Sequence, residues 1–418
     1  MIRHLLLLVT IFYYGFAIDA TMEIIKEKKT LPLICIDSNG ATLGKKISEL
    51  VAKDLQVSGH FNLIDFSIGF DFESQPNFTM LQQNGIDLYL NIQTSQNQNN
   101  GVVVSIRLYD ANSLKLVLSK SYTTSSQARY PFLAHKIAID INGYLNAPSI
   151  AWMDKFVIFS RYLNARSSEI VIADYTLTYQ QTVVKGGLNI FPKWANKEQE
   201  SFYYTSYEFA KPTLMKQNIF TQKREKIVSS DGMVVCSDVS SDGRKLALTM
   251  APNSQPDIYV YDTVTKIKTR VTEYSGIDVG GSFVENDKKI IFVSDRLKYP
   301  NIFAKTIGSK GVERMIYHGK NNSQCTTFKD YIVYSSRESD NEFGDNIFNL
   351  YLISTKSDYV RRLTTVGSNK FPKFSTDGES IMFIKNDSDT SYLGIIRLNY
   401  NKSFLFLLKT GKLQSIDW

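Results

Sequence analysis

Pro372-Lys373-Phe374-Ser375-Thr376-Asp377-Gly378-Glu379-Ser380-Ile381-Met382-Phe383-Ile384 places an aromatic residue, a polar turn and an apolar strand in direct succession. Asp-Gly supplies the positive φ that a tight hairpin turn requires. Phe374 therefore ends one strand, and Ile381–Ile384 belongs to the next. The same succession stands upstream, where Val239 leads through Ser240-Ser241-Asp242-Gly243 into Lys245-Leu246-Ala247-Leu248. Anchors of this kind recur at Trp194, Phe283 and Phe328, followed by Phe202-Tyr203-Tyr204, Ile290-Ile291-Phe292-Val293 and Ile332-Val333-Tyr334. Successive anchors lie 45, 44, 45 and 46 residues apart. That period matches a four-stranded propeller blade of about 40–50 residues. Third strands are visible at Ile258–Asp262, Asn301–Phe303 and Leu350–Ile353, and fourth strands at Lys268–Thr272, Arg314–Tyr317 and Arg361–Thr365.

Ahead of the Trp194 unit stand three strands, Lys155–Phe159, Glu169–Ala173 and Gln181–Val184, with no inner partner of their own. At the other end, Gly411–Trp418 resembles Gly187–Trp194 in outline, and Trp418 falls 44 residues after Phe374. An incomplete first blade and a surplus last strand predict that the two pair and close a six-bladed ring. Closure removes the exposed sheet edges that otherwise invite aggregation.

Residues 30–147 read differently, as an alternating α/β unit. Leu31–Ile36 is a short apolar strand. Leu43, Ile47, Leu50, Val51 and Leu55 then recur at helical spacing, with Lys45, Lys46, Glu49 and Lys53 on the opposite face. Ser58-Gly59 stops this helix. A strand at Phe61–Asp65, a second helix over Asn77–Asn84, strands at Asp87–Thr94, Val102–Asp110 and Lys115–Thr123, and an amphipathic helix over Phe132–Leu145 complete the unit, which Pro148 closes. The fold class expected is thus an α/β N-terminal domain (18–147) followed by an all-β six-bladed β-propeller (148–418) closed by the C-terminal strand.

Arg3 and His4, the apolar run Leu5–Tyr14 and the small residues Gly15 and Ala17 form a secretory signal, 1–17, with cleavage expected after Ala17. The run is shorter than the roughly 20 residues of a membrane span. Behind it, Ile18–Lys29 mixes Met22, Ile24 and Ile25 with Glu23, Lys26, Glu27, Lys28 and Lys29, and reads as an edge strand, a frayed end or a mobile segment that pairs with a partner by strand addition.

The chain of 418 residues is 43% hydrophobic and 12% aromatic, which excludes a disordered protein. Residues 18–147 carry a net charge of −1 and residues 148–418 a net +7, so the mild basic excess belongs to the propeller. Basic residues are not interleaved with aromatics in one stretch, and no nucleic-acid platform is expected. Cys35, Cys236 and Cys325 each sit in an expected strand and are read as buried free thiols. There is no Gly-x-Ser-x-Gly, His-Glu-x-x-His, Gly-x-x-x-x-Gly-Lys-Ser/Thr or Gly-x-Gly-x-x-Gly motif. His60, His135 and His318 are spread over different segments and read as packed or surface histidines. No catalytic, cofactor or metal residue is assigned. The acidic loop Asp340–Asn346 reads as a solvated insertion rather than a cation site. An enzyme or sensor holding a small ligand or sugar in the propeller channel is the alternative to a docking protein.

The order of parts resembles the TolB family, periplasmic components of the Tol–Pal system. The resemblance covers essentially the whole chain after the signal. It rests on Ile47–Phe61, Gly85-Ile86-Asp87 and Val102–Asp110 in the first domain, and on Asn189–Trp194, Phe292–Arg296 and Asn369–Gly378 in the propeller. Asn196–Gln199, Cys236–Val239 and Gly281–Phe283 depart from the family pattern. The resemblance implies a monomeric, non-enzymatic scaffold without cofactors. It would link the outer-membrane lipoprotein Pal to inner-membrane TolA, for outer-membrane integrity and constriction at division. It implies a Pal-type site on one channel rim at Asn189, Ile190, Phe191, Asp278, Val279, Gly280, Gln324, Asn369 and Lys370. A TolA-type site is implied in the N-terminal segment at Ile18, Asp19, Thr21, Met22, Glu23, Ile24 and Ile25. Group A colicins exploit the same system in some relatives, and other outer-membrane proteins are further candidate partners.

Overall fold

The computed structural model describes residues 31–69, 71–96, 101–337, 347–357, 359–387 and 390–418. The signal, the N-terminal segment with its expected TolA-type residues and the acidic loop 340–346 lie outside the described residues.

The α/β part is a five-stranded sheet in the order β2-β1-β3-β4-β5, from β1 (Leu33–Ser38), β2 (Asn62–Ile64), β3 (Leu88–Gln96), β4 (Val102–Asp110) and β5 (Lys115–Thr124). β1 pairs in parallel with β2 and β3, while β3, β4 and β5 are antiparallel. Alternation along the strands decides the two faces. Ile34, Leu88, Leu90 and Ile92 point to the main core, whereas Cys35 and Tyr89 point to a smaller cluster on the other side. The helices α1 (Thr42–Ser58) and α3 (Tyr130–Tyr144) cover the main face with Ile47, Leu50, Val51, Ile137 and Ile141. A short helix, α2 (Phe78–Gln83), contributes Leu81 to the other cluster. Gly59 ends α1 with φ 78°, its N–H reaching the Gln56 carbonyl at 3.2 Å, as its place in the sequence requires.

Six four-stranded blades follow among the described residues. Their inner strands are Lys412–Asp417 for the first blade, then Asn189–Trp194, Val234–Val239, Asp278–Val284, Lys320–Phe328 and Ser368–Phe374. The C-terminal strand lies antiparallel to Val157–Asn164 and completes the first blade, as expected from the sequence. Apolar alternation glues each blade to the next. Ile158, Ile170 and Ile172 of the first meet Phe202 and Tyr204 of the second, and Tyr203 of the second meets Leu246 and Leu248 of the third.

The Asp-Gly turns are built as the sequence demands. Gly243 and Gly378 have φ of 72° and 77°, and their N–H groups donate to Ser240 and Ser375 carbonyls at 2.8 and 2.9 Å. In the second blade, which lacks Asp-Gly, Gln199 takes up the left-handed position at φ 59°. Its amide is held by both backbone groups of Phe156, at 2.8 Å each. Gly378 also lies where any Cβ would collide with the ring of Phe328. Gly378→Ala is therefore expected to combine left-handed strain of about 1–2 kcal/mol with overpacking of about 1–3 kcal/mol. Chemical denaturation of the variant reads this directly, and an unchanged midpoint would contradict it.

Two expectations need correcting. The fifth anchor is Thr327 rather than Phe328: Thr327 pairs with Ile332, the register at which Phe283 pairs with Ile290, and Phe328 is shifted one residue further. The aromatic side chain at that turn disguised the register in the sequence. Outer strands are also shorter than expected, Lys268–Arg270, Glu313–Arg314 and Val360–Arg362. In the third blade the ladder stops because Val271 and Thr272 both turn their N–H groups to the Ile258 carbonyl, at 2.8 and 3.3 Å.

Candidate functional site

Each blade's inner strand runs from a front face to a rear face of the ring. Loops joining one blade to the next, and second strands to third, lie on the front. Inner-strand bulges shape the front mouth of the channel. They fall at Phe191–Pro192, Gly280–Gly281, Gln324–Cys325 and Phe371–Pro372, between the regular pairs on either side. Phe191, Gly280, Gln324 and Phe371 all adopt positive φ, from 49° to 68°. These are costly conformations for non-glycine residues and collect at functional positions. With Val279, Val235, Pro192 and Pro372 they line a cavity of about 480 Å³. Gln324 Oε1 accepts the Phe371 N–H at 3.2 Å, which ties the fifth blade to the sixth. Leu163, near the end of the strand Val157–Asn164, and Tyr207, Phe209, Ile277, Tyr317, Ile347 and Val366, on front-face connections, are exposed by 36 to 76%, and of these Ile277 lines the cavity. Single exposed apolar residues are ordinary, and it is the apolar cavity shared by several blades that marks a candidate binding surface.

Seven of the nine rim residues implied by the resemblance divide into two kinds. Phe191, Val279, Gly280 and Gln324 line the cavity. Asn189, Asp278 and Asn369 are fully buried and close the loops. Asn189 donates to the Gly186 carbonyl and Asn369 to the Val366 carbonyl at 3.0 Å. Asp278 accepts Arg296 on both oxygens at 3.0 Å. Arg296 belongs to the Phe292–Arg296 motif, whose Asp295 accepts the Ile277 N–H at 2.7 Å and whose Ser294 Oγ accepts Arg296 Nε at 2.8 Å. The motif thus fastens two front loops to each other. Ile190 is buried, and the Lys370 ammonium sits 4.3 Å from the centre of the Phe348 ring. Burial holds Lys370 below the ordinary lysine value.

Deeper in the channel the six blades contribute one residue each at a common register. They are Asp417, Lys193, Asp238, Ser282, Thr326 and Lys373, paired with Ile158, Tyr203, Ala247, Ile291, Val333 and Met382. Lys193 Nζ lies 3.0 Å from Asp417 and 3.2 Å from Asp238. Burial presses this ammonium down, but the two carboxylates outweigh it and hold Lys193 above its ordinary value. The second oxygens accept backbone N–H groups of the next blades, Asp417 from Trp194 and Asp238 from Phe283, both at 2.9 Å. Sequence reasoning missed this ring. Its signal was there, since in five of the blades the residue directly before the sequence anchor is the ring residue.

A second buried cluster joins the two parts of the chain. His135 of α3 donates from Nδ1 to Asp54 of α1 at 2.7 Å, and from Nε2 to Asp174 of the first blade at 3.3 Å. Tyr175 donates its hydroxyl to Asp54 at 2.5 Å. The histidine and both carboxylates are wholly buried. Burial disfavours the imidazolium, yet Asp54 and Asp174 prevail and push His135 up to about 10. The three cysteines are free and buried, and burial raises Cys325 to about 12. Among the described residues no group of three or more His, Cys, Asp or Glu is placed to hold a metal ion. No helix of the described residues is long and apolar enough to cross a membrane.

Comparison with known proteins agrees with this architecture. Residues 25–117 match the TolB amino-terminal domain and residues 155–418 the TolB beta propeller domain. The chain belongs to the TolB family. It is 49% identical to the Tol-Pal system protein TolB of Wolinella succinogenes over 412 residues, covering 96% of this chain and 97% of that one. It is 47% identical to the protein of the same name from Helicobacter hepaticus, covering 99% and 98%. The crystal structure of TolB from Acinetobacter baumannii shares the fold, with a TM-score of 0.77 at 22% identity over 92% of this chain and 96% of that one. In this TolB-family chain Gln199 takes the left-handed turn position of the second blade that Gly243 and Gly378 take in the third and sixth.

Proposed function

We propose that this chain is a non-enzymatic docking component of the Tol–Pal system. It is exported to the periplasm by the signal 1–17, with an α/β domain to residue 147 and the propeller beyond. The front mouth takes the Pal lipoprotein, and the N-terminal segment, Ile18–Lys29, takes TolA. The names of the 49% and 47% identical relatives support the system. The observation that carries the docking reading is the front mouth itself: a cavity of about 480 Å³ lined by Phe191, Val235, Val279 and Phe371 from four different blades. A protein seated there touches several blades at once and buries apolar surface at the centre, where binding energy concentrates. Phe191, Val279, Gly280 and Gln324 are the contact residues in this reading, with Lys370 beside them. Asn189, Asp278 and Asn369 hold the loops that present them.

Phe191→Ala should weaken association with the soluble part of the lipoprotein from the same cell by about tenfold or more, the cost of removing a central aromatic anchor. Isothermal titration reads this, and unchanged affinity in a folded variant would refute the assignment of the mouth. Deleting residues 18–29 should abolish TolA binding while leaving thermal unfolding as it is. Retained TolA capture by the deletion would remove the N-terminal segment from the scheme.

A further inference from the structure

The channel ring is electrically lopsided. In blade order it reads Asp417, Lys193, Asp238, Ser282, Thr326, Lys373, so charges alternate over three blades and then give way to two hydroxyls. Both carboxylates are fully engaged, by Lys193 and by the backbone N–H groups of Trp194 and Phe283. Lys373 is not. Among the described residues its only carboxylate neighbour within 4 Å is Asp417, at 3.8 Å, which is beyond hydrogen-bond length. An ammonium offers three donors and has no acceptor capacity, and burial together with the Lys193 charge presses Lys373 below the ordinary lysine value. The ring also has polarity along the channel. Lys373, Ser282 and Lys193 border the front cavity, whereas Asp238 and Asp417 border the rear one, of about 390 Å³, which Lys193 reaches as well. A group descending from the front mouth between apolar walls therefore meets ammonium nitrogen before it meets carboxylate oxygen.

We propose that the channel floor receives an acidic side chain carried by the protein that docks on the front mouth, with Lys373 as its counter-ion. This rests on the docking reading above and names the chemistry of its partner. The inserted carboxylate accepts hydrogen bonds from Lys373 in a place where the surrounding apolar walls strengthen the attraction. It also supplies the negative charge that the ring lacks on the side of Ser282 and Thr326, whose hydroxyls are neutral. A basic or purely apolar insertion leaves Lys373 desolvated and unpaired, which discriminates against such partners.

The test is isothermal titration of the mature chain with the soluble part of the Pal lipoprotein from the same cell. Lys373→Met and Lys373→Arg are compared with the unmodified chain, and each Asp and Glu of the lipoprotein is changed to its amide in turn. Lys373→Met is expected to weaken binding at least tenfold and Lys373→Arg far less. One lipoprotein amide variant should weaken binding to the unmodified chain but not to Lys373→Met. Equal or tighter binding by Lys373→Met, or the absence of any coupled carboxylate, overturns the inference and leaves the docking reading standing. No binding by the unmodified chain overturns both. Thermal unfolding checks each variant, and if Lys373→Met does not fold, Lys373→Gln and the lipoprotein amide series on the unmodified chain decide the question.

Discussion

Replacing His135 by leucine is expected to destabilise the protein by about 3–5 kcal/mol, the usual cost of breaking a buried ion pair from one side. The imidazole stands between Asp54 at 2.7 Å and Asp174 at 3.3 Å, all three out of contact with water. Leucine fills a similar volume but leaves two carboxylates facing an apolar side chain. Asp174 retains the Thr176 N–H at 2.9 Å and the Tyr179 N–H at 2.5 Å, and Asp54 retains Tyr175, so the loss falls on the charge and not on every hydrogen bond. The pH dependence separates this cause from simple packing. The folded value of His135 is raised to about 10 from an ordinary 6.5. The contribution of the imidazolium is therefore complete below about pH 6.5 and is lost as the pH rises through 10. Urea denaturation of the unmodified chain and of His135→Leu should give a large gap at pH 6 that narrows towards pH 10. A gap that stays constant with pH would show that the histidine acts by shape alone.

This cluster also shows where the sequence stops being readable. The blades could be placed because their signal is local: an anchor, a turn and an apolar strand within about a dozen residues, repeated at one period. The helix α1 was legible for the same reason, since Ile47, Leu50, Val51 and Leu55 recur at a spacing that only one backbone geometry turns into a face. Asp54, His135 and Asp174 carry no such signal. They come from two helices and a loop far apart in the chain, and nothing local in the sequence links them. The fifth-blade register failed for a related reason, because Phe328 supplies the expected aromatic ring one residue after the position that pairs with Ile332. At the front mouth, motif matching pointed to these loops but not to the division of labour within them. Asn189, Asp278 and Asn369 occur at the mouth because a turn needs its carbonyls and guanidinium held. A sequence match cannot distinguish a residue that touches a partner from one that holds the loop which does.

Deleting residues 411–418 should have the largest effect of any change considered. The strand Lys412–Asp417 is the inner strand of the first blade, pairing from Lys412 with Tyr162 to Asp417 with Ile158. Its loss strips that ladder and removes Leu413 and Ile416, each 3% exposed in the intact chain, from the core they help to fill. Full burial of one such side chain is worth about 1.5–3 kcal/mol. The deletion also takes Asp417 from Lys193 and from the Trp194 N–H, at 3.0 and 2.9 Å, leaving a buried ammonium with one carboxylate instead of two. Trp418, whose ring centre lies 5.2 Å from that of Trp152, goes with it and opens the seam between propeller and α/β domain. Together these losses approach the whole stability of an ordinary domain, about 5–15 kcal/mol. The expected result is a chain that fails to unfold cooperatively and is cut first within residues 157–184, the three strands left behind. Limited proteolysis with mass readout and thermal unfolding test this directly. A truncated chain with the melting temperature of the intact one would mean that the first blade does not depend on its C-terminal strand. A local effect would leave the second to sixth blades folded, and a ring that depends on closure would lose them too. The Asp417 links to Lys193 and Trp194 favour the second outcome, because they pass the loss straight into the neighbouring blade.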